Sequence, residues 1–533
     1  MKDINLVAGF FKHAFQNPKA PCLMVDEKLY SYKEIAVRVQ KVAGWLQMNT
    51  PDKNARVGIL TDRSLEAYVG ILAAAWSGCS YVPLSPKSPG AYLKKTIETA
   101  QLDALIIDEK GFETLGPDLA ASLPRAILHP LSADCSRGQV KIDGEASLAN
   151  TTPLAEPLPV SSQSMAYLMF TSGSTGAPKG IMVTVGNVLH MLGVLQERYQ
   201  VSEEDRLSQF FELPFDLSVF DIFMATNSGA SLYVIPENQL LSPAQFINKH
   251  QLTIWFSVPS LIGIMLQMKL LKPDQFHSLR LSLFCGEALP AASAEAWQKA
   301  APKSRVENLY GPTEATVACL LQEYGPPGAI TPDRNIVAIG QPFKGLHAAI
   351  VDQDLKIQPR GKKGELAISG PQVAAGYWQN EALTDERFPT LNHPDLGKTR
   401  WYLTGDLALQ DVEGIYHFLG RVDYQIKVRG IRIELEEIEY HLREASGLDN
   451  VLAVPLPDLG QGIMGVIGVI ETDQADVVMI KAEMQKRVPR FLVPKRVILK
   501  DRIPRNKSGK LDRKGMMAIL VEENVFSNRE VAK

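Results

Sequence analysis

The stretch Phe170–Gly180, FTSGSTGAPKG, decides the fold of this chain, and it follows the apolar run MAYLMF. It sets two hydroxyl-rich glycine turns before Lys179 and so offers hydroxyls, backbone N–H groups and one ammonium, all of which bind polyphosphate. A Walker loop has a glycine directly before its lysine, so that a helix begins there, but Pro178 occupies that place. Proline has no N–H and biases the preceding residue away from the helical region. The stretch therefore indicates a phosphate-binding loop of another kind, with a polar surface turn as the alternative.

The composition limits the classes of protein that need to be considered. A chain of 533 residues is too long for one hydrophobic core, which predicts roughly two to four domains. Its formal net charge of −3 leaves no basic excess for nucleic acid. The five cysteines are widely spaced and form no CxxC pair, which favours neither a disulfide framework nor a zinc site. No segment has the continuous apolar character of a signal peptide or a membrane span, so we expect a cytoplasmic protein without nucleic-acid or membrane partners.

The pattern of apolar residues divides the chain into two parts. From about residue 20 to 420, β-branched runs such as RVGIL and ALIID alternate with longer amphipathic segments such as SLEAYVGILAAAWSG, which predicts an α/β architecture with largely parallel sheets. After this region comes the amphipathic segment ELEEIEYHLREA, followed by VLAVPLPD and GVIGVIETD, a pattern typical of a small α+β domain. We therefore predict a large N-terminal domain at residues 1–420 and a small C-terminal domain at 424–533, with the boundary near Gly420 to Asp423.

One glycine motif matches a dinucleotide-binding pattern but lacks the structural context of such a site. Residues 460–465, GQGIMG, match the dinucleotide fingerprint GxGxxG, but the strand-like VIGVIETD follows them where a helix is required. This context argues against a Rossmann dehydrogenase.

Four further segments carry more polar residues than segments of a hydrophobic core would. They are NLYGPTEAT at residues 308–316, WYLTGDL at 401–407, GRVDYQIKVRGIRIELEEIE at 420–439 and PRNKSGKLDR at 504–513. In this order and spacing, together with residues 170–180, they resemble the core motifs of the adenylate-forming superfamily of acyl-CoA synthetases, luciferases and nonribosomal peptide synthetase adenylation domains. The resemblance runs from YSYKEIA at residues 30–36 to Lys510. It implies a large N-terminal domain of layered sheets and helices with a small, mobile α+β C-terminal domain.

The resemblance also implies ATP and Mg²⁺, since this family splits ATP between its α and β phosphates. The implied ATP-binding residues are Thr171, Ser172, Gly173, Ser174, Thr175, Gly176, Gly286, Glu287, Ala288, Asn308, Tyr310, Gly311, Thr313, Asp406, Arg421 and Lys510. Among them Tyr310 would stack on adenine, and Asp406 would accept both ribose hydroxyls with help from Arg421. One departure from the family is Ala375, where adenylation domains commonly carry arginine. We expect that change to affect stability or surface contacts and not the chemistry.

Four residues are implied to be catalytic. A carboxylate that attacks the α-phosphorus meets a polyanion, so the site has to neutralise charge and align the leaving pyrophosphate. By resemblance Lys179 holds the leaving phosphates, Thr313 contacts the α-phosphate, and Glu314 binds Mg²⁺. Lys510 would bridge the carboxylate and the α-phosphate, where negative charge builds up. The family rotates its small domain between two half-reactions, and Asp423 stands at the hinge position, with an ordinary turn carboxylate as the alternative.

The segment FELPFDLSVFDIF indicates the class of substrate. In amino-acid-activating members of the family, the aspartate at the position of Asp216 pairs with the substrate's α-ammonium, because an unpaired buried charge is costly. Fatty-acyl and aryl substrates have no ammonium, so Asp216 counts against them and against a luciferase-like oxygenase. The implied side-chain pocket is apolar throughout and consists of Leu217, Phe220, Phe256, Leu283, Cys285, Leu309, Val317 and Ala318. We therefore expect a small, uncharged, aliphatic amino acid.

This lining resembles that of stand-alone L-prolyl-AMP ligases, which load proline onto a carrier protein for pyrrole and related alkaloid pathways. L-proline is the predicted substrate. D-alanine, L-alanine and valine remain alternatives, because one methylene group contributes little to discrimination between substrates. Only 23 residues follow Lys510 and no HHxxxDG motif occurs, so we expect the acceptor to be a separate phosphopantetheinyl carrier protein. Coenzyme A is the alternative acceptor. A non-catalytic adenylate-binding regulator is disfavoured because Glu314 and Lys510 are both present.

Overall fold

The computed structural model describes residues 4–50, 54–173, 178–325, 328–458, 462–506, 510–523 and 525. The chain forms two compact units. The larger unit consists of Met1–Pro86, Ile97–Phe170 and Gly180–Asp423, and the smaller unit of Lys87–Thr96, Thr171–Lys179 and Tyr424–Lys533.

The helices in chain order are α1 (Ala8–Gln16), α2 (Tyr32–Asn49), α3 (Leu65–Trp76), α4 (Gly90–Ala100), α5 (Glu109–Thr114), α6 (Glu145–Ala149), α7 (Val185–Tyr199), α8 (Leu217–Asn227), α9 (Ala244–His250), α10 (Pro259–Gln267), α11 (Ala291–Ala300), α12 (Glu381–Arg387), α13 (Leu435–Ser446), α14 (Val477–Arg487) and α15 (Arg513–Glu522).

The strands in chain order are β1 (Pro21–Val25), β2 (Lys28–Ser31), β3 (Arg56–Leu60), β4 (Ser80–Leu84), β5 (Ala104–Ile107), β6 (Ala126–Leu128), β7 (Cys135–Arg137), β8 (Val140–Ile142), β9 (Met165–Thr171), β10 (Lys179–Thr184), β11 (Arg206–Gln209), β12 (Ser231–Val234), β13 (Ile254–Ser257), β14 (Leu281–Phe284), β15 (Arg305–Tyr310), β16 (Leu320–Glu323), β17 (Ile330–Thr331), β18 (Ile336–Val337), β19 (Gln341–Pro342), β20 (His347–Val351), β21 (Lys363–Ser369), β22 (Gly376–Tyr377), β23 (Thr390–His393), β24 (Gly397–Arg400), β25 (Tyr402–Gln410), β26 (Tyr416–Arg421), β27 (Gln425–Val428), β28 (Ile431–Glu434), β29 (Val451–Asp458), β30 (Gly462–Glu471) and β31 (Arg496–Lys500).

Two large sheets organise the bigger unit. One runs in the order β19-β16-β15-β14-β13-β11-β12-β1-β2 and the other in the order β22-β10-β9-β4-β3-β5-β6. Their central strands pair in parallel, as in β13 with β14 and β3 with β4, whereas antiparallel strands stand at the edges. Helix α3 packs on β3, β4 and β5, and α8 packs on β11 and β12. The predicted α/β architecture with largely parallel sheets is therefore confirmed.

Local sequence signals explain where the main helices begin. Ser31 and Glu34 form a capping box at the start of α2, and Thr184 and Asn187 form a second one at the start of α7. In each box the side chains satisfy backbone N–H groups that have no partner within the helix. The buried residues of α3 cover nearly its whole length, which is typical of a helix enclosed on all sides.

The smaller unit has its own hydrophobic cores. Strands β29, β30 and β31 form a sheet, and apolar residues of α13, α14 and α15 are buried in the two clusters around it. The hairpin of β27 and β28 turns through Arg429 and Gly430, both with positive φ, the geometry that two-residue hairpins prefer. Gly462–Glu471 is a strand, in agreement with the argument against a dinucleotide-binding helix. Within the described ranges, no helix combines the length and apolar character needed to cross a bilayer.

Candidate active site

The loops that follow β14 and β15 carry several of the predicted nucleotide residues. In parallel α/β sheets, ligands bind beyond the carboxyl ends of the strands. After β14 the chain turns at Gly286, whose φ of 93° favours glycine. Glu287 accepts a hydrogen bond from the backbone N–H of Ser260 at 3.0 Å, at the start of α10, while Ala288 is exposed. The turn after β14 is thus tied to the N-terminus of a neighbouring helix.

Strand β15 ends with two of the predicted residues. Asn308 is buried, and its Nδ2 donates to the carbonyl of Ala338 at 2.8 Å. The hydroxyl of Tyr310 donates to a carboxylate oxygen of Asp406. Burial raises the pKa of Tyr310 well above its usual range, and the charge of Asp406 raises it further. The phenol therefore remains protonated and serves as a donor to Asp406.

Arg421 joins Asp406 to Asp423. Strands β25 and β26 pair Asp406 with Arg421, whose Nη1 lies 2.5 Å from Oδ1 of Asp406. The same guanidinium binds both oxygens of Asp423, at 2.6 and 2.7 Å. Gly405 has a φ of 73°, which favours glycine, and a Cβ there would press on the guanidinium of Arg421. The structure thus brings together the residues predicted for ribose binding and for the hinge.

Glu314 lies in a short 3-10 turn, Thr313–Ala315, directly after Gly311 and Pro312. Its side chain is buried, and Oε1 accepts a hydrogen bond from the hydroxyl of Tyr377 at 2.8 Å. Mg²⁺ prefers oxygen ligands and is commonly held by one or two carboxylates together with substrate phosphates. A buried carboxylate oriented by a hydroxyl fits that role. Tyr377 was not predicted as a site residue, although it lies two residues after Ala375, where the sequence departs from the family.

The predicted pocket residues lie together in the main hydrophobic core, with between 0% and 6% of each side chain exposed. Phe256 pairs with Leu283 across β13 and β14, and Cys285 follows on the same side because side chains alternate along a strand. Leu283 pairs with Glu307 across β14 and β15, so Leu309, two residues after Glu307, lies on the same face. One face of the sheet therefore carries these four side chains.

Aromatic rings close this apolar group on one side. The ring centroids of Phe220 and Phe256 are 5.3 Å apart at 84°, and those of Phe211 and Phe256 are 4.9 Å apart at 72°. Such edge-to-face contacts are favourable beyond the area they bury. Phe211 was missed in the sequence, although it lies in the quoted segment FELPFDLSVFDIF.

Asp216 is the residue before α8 and is partly buried. Burial raises the pKa values of Tyr81 and Tyr167, and the charge of Asp216 raises them further. The two rings are 5.7 Å apart on β4 and β9. Asp216 therefore lies near two buried phenols that the sequence did not single out.

The loop segment Thr171–Lys179 belongs to the smaller unit. Lys179 pairs with Glu434 at 2.9 Å, and the N–H of Gly173 donates to Oε2 of Glu437 at 3.2 Å. Ser172 donates through Oγ to the carbonyl of Arg432 and accepts from the N–H of Glu434. Ser174, Thr175 and Gly176 lie outside the described residues. The loop donors predicted for phosphate thus contact the carboxyl groups of Glu434 in β28 and Glu437 in α13.

Lys510 also belongs to the smaller unit, and its side chain is exposed. Its backbone N–H donates to Oδ1 of Asn506 at 3.1 Å, and its carbonyl accepts from the N–H of Asn506. These bonds tie the backbone of Lys510 to Asn506.

Comparisons with known proteins agree on one family. The model of the family "AMP-binding enzyme" matches residues 10–378. An L-proline–[L-prolyl-carrier protein] ligase of Pseudomonas fluorescens is 30% identical over 502 residues, 93% of this chain and 95% of that protein. Tyrocidine synthase 1 of Brevibacillus parabrevis is 29% identical over 95% of this chain. The chain spans only 44% of that synthase and 14% of tyrocidine synthase 2.

A solved structure agrees over the full length. The crystal structure of the Vibrio cholerae adenylation domain AlmE in complex with glycyl-adenosine-5′-phosphate superposes with a TM-score of 0.85 at 31% identity, and the match covers 98% of this chain and 99% of that one. Together with the family match over more than half of the sequence, this similarity confirms the resemblance that the motifs indicated. The chain belongs to the AMP-binding enzyme family and has the fold of the adenylate-forming enzymes.

Proposed function

We propose that this protein activates a small apolar amino acid, L-proline before others, and loads it onto the phosphopantetheine thiol of a separate carrier protein. In the first step a carboxylate oxygen of the amino acid attacks the α-phosphorus of ATP, and the bond to the β-phosphate oxygen breaks to release pyrophosphate. In the second step the thiol sulfur attacks the carbonyl carbon of the adenylate, and AMP leaves. We place this reaction in the cytoplasm, where ATP is available.

One observation carries the substrate class. Phe256, Leu283, Cys285 and Leu309 share one face of the sheet, and Phe220 fills the space beside Phe256. Such a group offers no hydrogen bond to a polar side chain, which would be left unpaired at a cost of about 1–3 kcal/mol. The bulk of the phenylalanines disfavours large substrates, since overpacking costs about 1–3 kcal/mol. Asp216 would pair with the substrate ammonium.

The relatives support this assignment. One of them is named for L-proline and its carrier protein, and the solved adenylation domain holds glycyl-adenosine-5′-phosphate, so both involve a small amino acid. Proline's secondary ammonium has two N–H donors, and its three ring methylenes suit a short apolar enclosure. Alanine, valine and glycine differ from proline by a few methylenes, each worth about 0.8 kcal/mol when buried.

The proposed roles of the polar residues follow from their chemistry. Asp406 can accept two ribose hydroxyls once its contacts with Tyr310 and Arg421 are exchanged for them. Thr313 would contact the α-phosphate, and Lys510 would stabilise the charge that develops between carboxylate and α-phosphate. Mg²⁺ at Glu314 would supply further neutralisation of phosphate charge. We also propose a large domain at 1–420 and a mobile domain at 424–533, with Asp423 as the hinge.

The test is ATP–pyrophosphate exchange with each of the twenty amino acids at equal concentration. It is followed by mass spectrometry of a carrier protein incubated with the enzyme, ATP and the best amino acid. L-proline is expected to give the highest kcat/KM, and the carrier is expected to gain the mass of one prolyl group. A higher kcat/KM for alanine, valine or glycine would overturn the choice of proline. Loading of coenzyme A in preference to the carrier would favour an acyl-CoA synthetase.

A further inference from the structure

Two adjacent β-branched residues after Glu314 have an unusual backbone. Thr316 has a φ of 59° and Val317 a φ of 67°, a region that β-branched residues rarely adopt. The N–H of Ala318 donates to the carbonyl of Thr316 at 2.8 Å, which closes a three-residue turn centred on Val317. A turn of this kind with positive φ is the rare and strained form. Such strain persists only where the surroundings over-determine the conformation.

Gln372 is the side chain that holds this turn. It is fully buried, and its Nε2 donates to the carbonyl of Ala318 at 2.7 Å and to that of Ala315 at 3.3 Å. In return, Oγ1 of Thr316 donates to the backbone carbonyl of Gln372 at 2.6 Å. The carboxamide therefore bridges the two ends of the strained turn, and a buried donor left without these carbonyls would be costly.

Helix α7 orients Gln372 in turn. Nδ1 of His190 lies 3.1 Å from Oε1 of Gln372, and because an amide oxygen only accepts, this nitrogen carries the proton. Nδ2 of Asn187 donates to the carbonyl of Pro371 at 2.6 Å and to that of Val373 at 3.3 Å. A rigid helix thus fixes both the side chain and the backbone on either side of Gln372.

The turn borders positions that the proposed function uses. A Cβ on Gly311 would lie 2.6 Å from Cα of Ala318 and 2.7 Å from the carbonyl oxygen of Val317, so the turn presses directly on the end of β15. At its other end, the carbonyl of Glu314 accepts from the N–H of Ala374, two residues after Gln372. A shift of this turn would move the apolar wall made by Val317 and Ala318.

We propose that Gln372 is a positioning residue that sets amino-acid selectivity by holding the strained Val317 turn against the pocket, with His190 fixing its orientation. This inference rests on the proposed function. Gln372 itself does not contact the substrate in this proposal. Its loss should change the discrimination between small amino acids, which a general structural role would not alter.

The experiment compares the wild-type protein with Gln372→Met, which keeps the length of the side chain and removes its hydrogen bonds. KM for the amino acid is expected to rise about tenfold, whereas KM for ATP stays within about threefold. The ratio of kcat/KM between the best and second-best amino acid is expected to fall. The matched control is Gln196→Met on α7, whose carboxamide also donates to a backbone carbonyl, that of Val201 at 2.8 Å; it should leave that ratio unchanged.

Two further variants keep the test decisive if Gln372→Met folds poorly. His190→Phe removes the donor to Gln372. It should also raise KM for the amino acid and leave KM for ATP nearly unchanged, but the rise should be smaller than in Gln372→Met. In a Val317→Gly background, glycine accepts the positive φ without strain. Adding Gln372→Met to this background should therefore change the logarithm of the kcat/KM ratio by less than half as much as it does in the wild-type protein. Unchanged selectivity in Gln372→Met or in His190→Phe, or equal losses for both substrates, would overturn the proposal. A wild-type protein that exchanges with no amino acid overturns the proposed function itself.

Discussion

The ammonium of Lys179 lies 2.9 Å from Oε1 of Glu434 inside the smaller unit, and only 18% and 7% of the two side chains are exposed. Gln425 donates to the same oxygen of Glu434, so this carboxylate is held in place by two donors. Glu437 accepts the N–H of Gly173 in the same loop. Because carboxylates and phosphates accept from the same donors, Glu434 would compete with phosphate oxygens for Lys179.

Glu434→Gln is therefore expected to strengthen the binding of pyrophosphate. The change removes the negative charge that neutralises Lys179 and leaves the ammonium available to phosphate. KM for pyrophosphate in the exchange reaction should fall about threefold to tenfold, in line with an ion pair that is mostly shielded from water. The control is Glu444→Gln in α13, where an exposed carboxylate pairs with Arg487 at 3.5 Å. A KM that stays constant or rises in Glu434→Gln would contradict this competition.

Stability should depend on pH through Glu437. Burial raises its pKa to about 8, with the nearby charge of Glu434 contributing. Between the ordinary carboxyl pKa of about 4.5 and 8 the folded state therefore binds more protons than the unfolded state, so stability falls as pH rises through this window. The loss is about 1.4 kcal/mol for each unit of pKa difference.

The measurement is the Tm of wild type and of Glu437→Gln at half-unit intervals from pH 5 to 9. Glutamine is neutral throughout and keeps an oxygen that accepts from Gly173, so the variant should gain on wild type as pH rises towards 8. Parallel curves for the two proteins would show that Glu437 does not titrate in this range.

Lys510→Ala should suppress adenylate formation far more than thiol transfer, since only the first step builds charge between carboxylate and α-phosphate. We expect a loss on the order of 10²–10³-fold in pyrophosphate exchange, with little change in Tm because the side chain is exposed. Transfer from supplied aminoacyl-adenylate to the carrier is measured in parallel. Equal losses in the two half-reactions would refute this role.

Asp423→Pro should show the opposite pattern, because proline fixes φ at the proposed hinge and restricts the rotation that thiol transfer requires. The substitution also removes the carboxylate that binds Arg421 at 2.6 and 2.7 Å. Asp423→Ala is therefore the necessary control, since it removes the same ion pair and leaves φ free. Thiol transfer should fall in the proline variant and persist in the alanine variant. If both variants behave alike, the ion pair and not rotation at this residue is responsible.

Asp216→Asn should abolish activation of the amino acid while ATP binding stays within a few-fold of wild type. The asparagine keeps the size of the side chain but cannot neutralise the substrate's ammonium, and an unpaired buried charge costs about 3–5 kcal/mol. We expect kcat/KM for the amino acid to fall by at least ~10²-fold, measured by exchange, with nucleotide affinity measured by calorimetry. Activity retained with the same amino acid would show that another group holds the ammonium.

The sequence alone was sufficient to predict the α/β architecture and the family. These properties depend on short-range signals: the alternation of β-branched runs with amphipathic segments, and motifs such as residues 170–180 whose residue types suit one chemistry. The order of the motifs was enough to single out Tyr310, Asp406, Arg421 and Asp423, which lie in one connected network in the structure.

Only the tertiary structure decided which residues distant in sequence contact one another. Lys179 and Glu434 are separated by 255 residues, and Gln372 and Ala318 by 54, and no periodicity relates such pairs. The Val317 turn is the sharpest case, because the preferences of a β-branched residue oppose its positive φ. Gln372, Thr316 and Gly311 contact this turn. Their positions follow from the packing of whole sheets and helices, which no local segment of sequence determines.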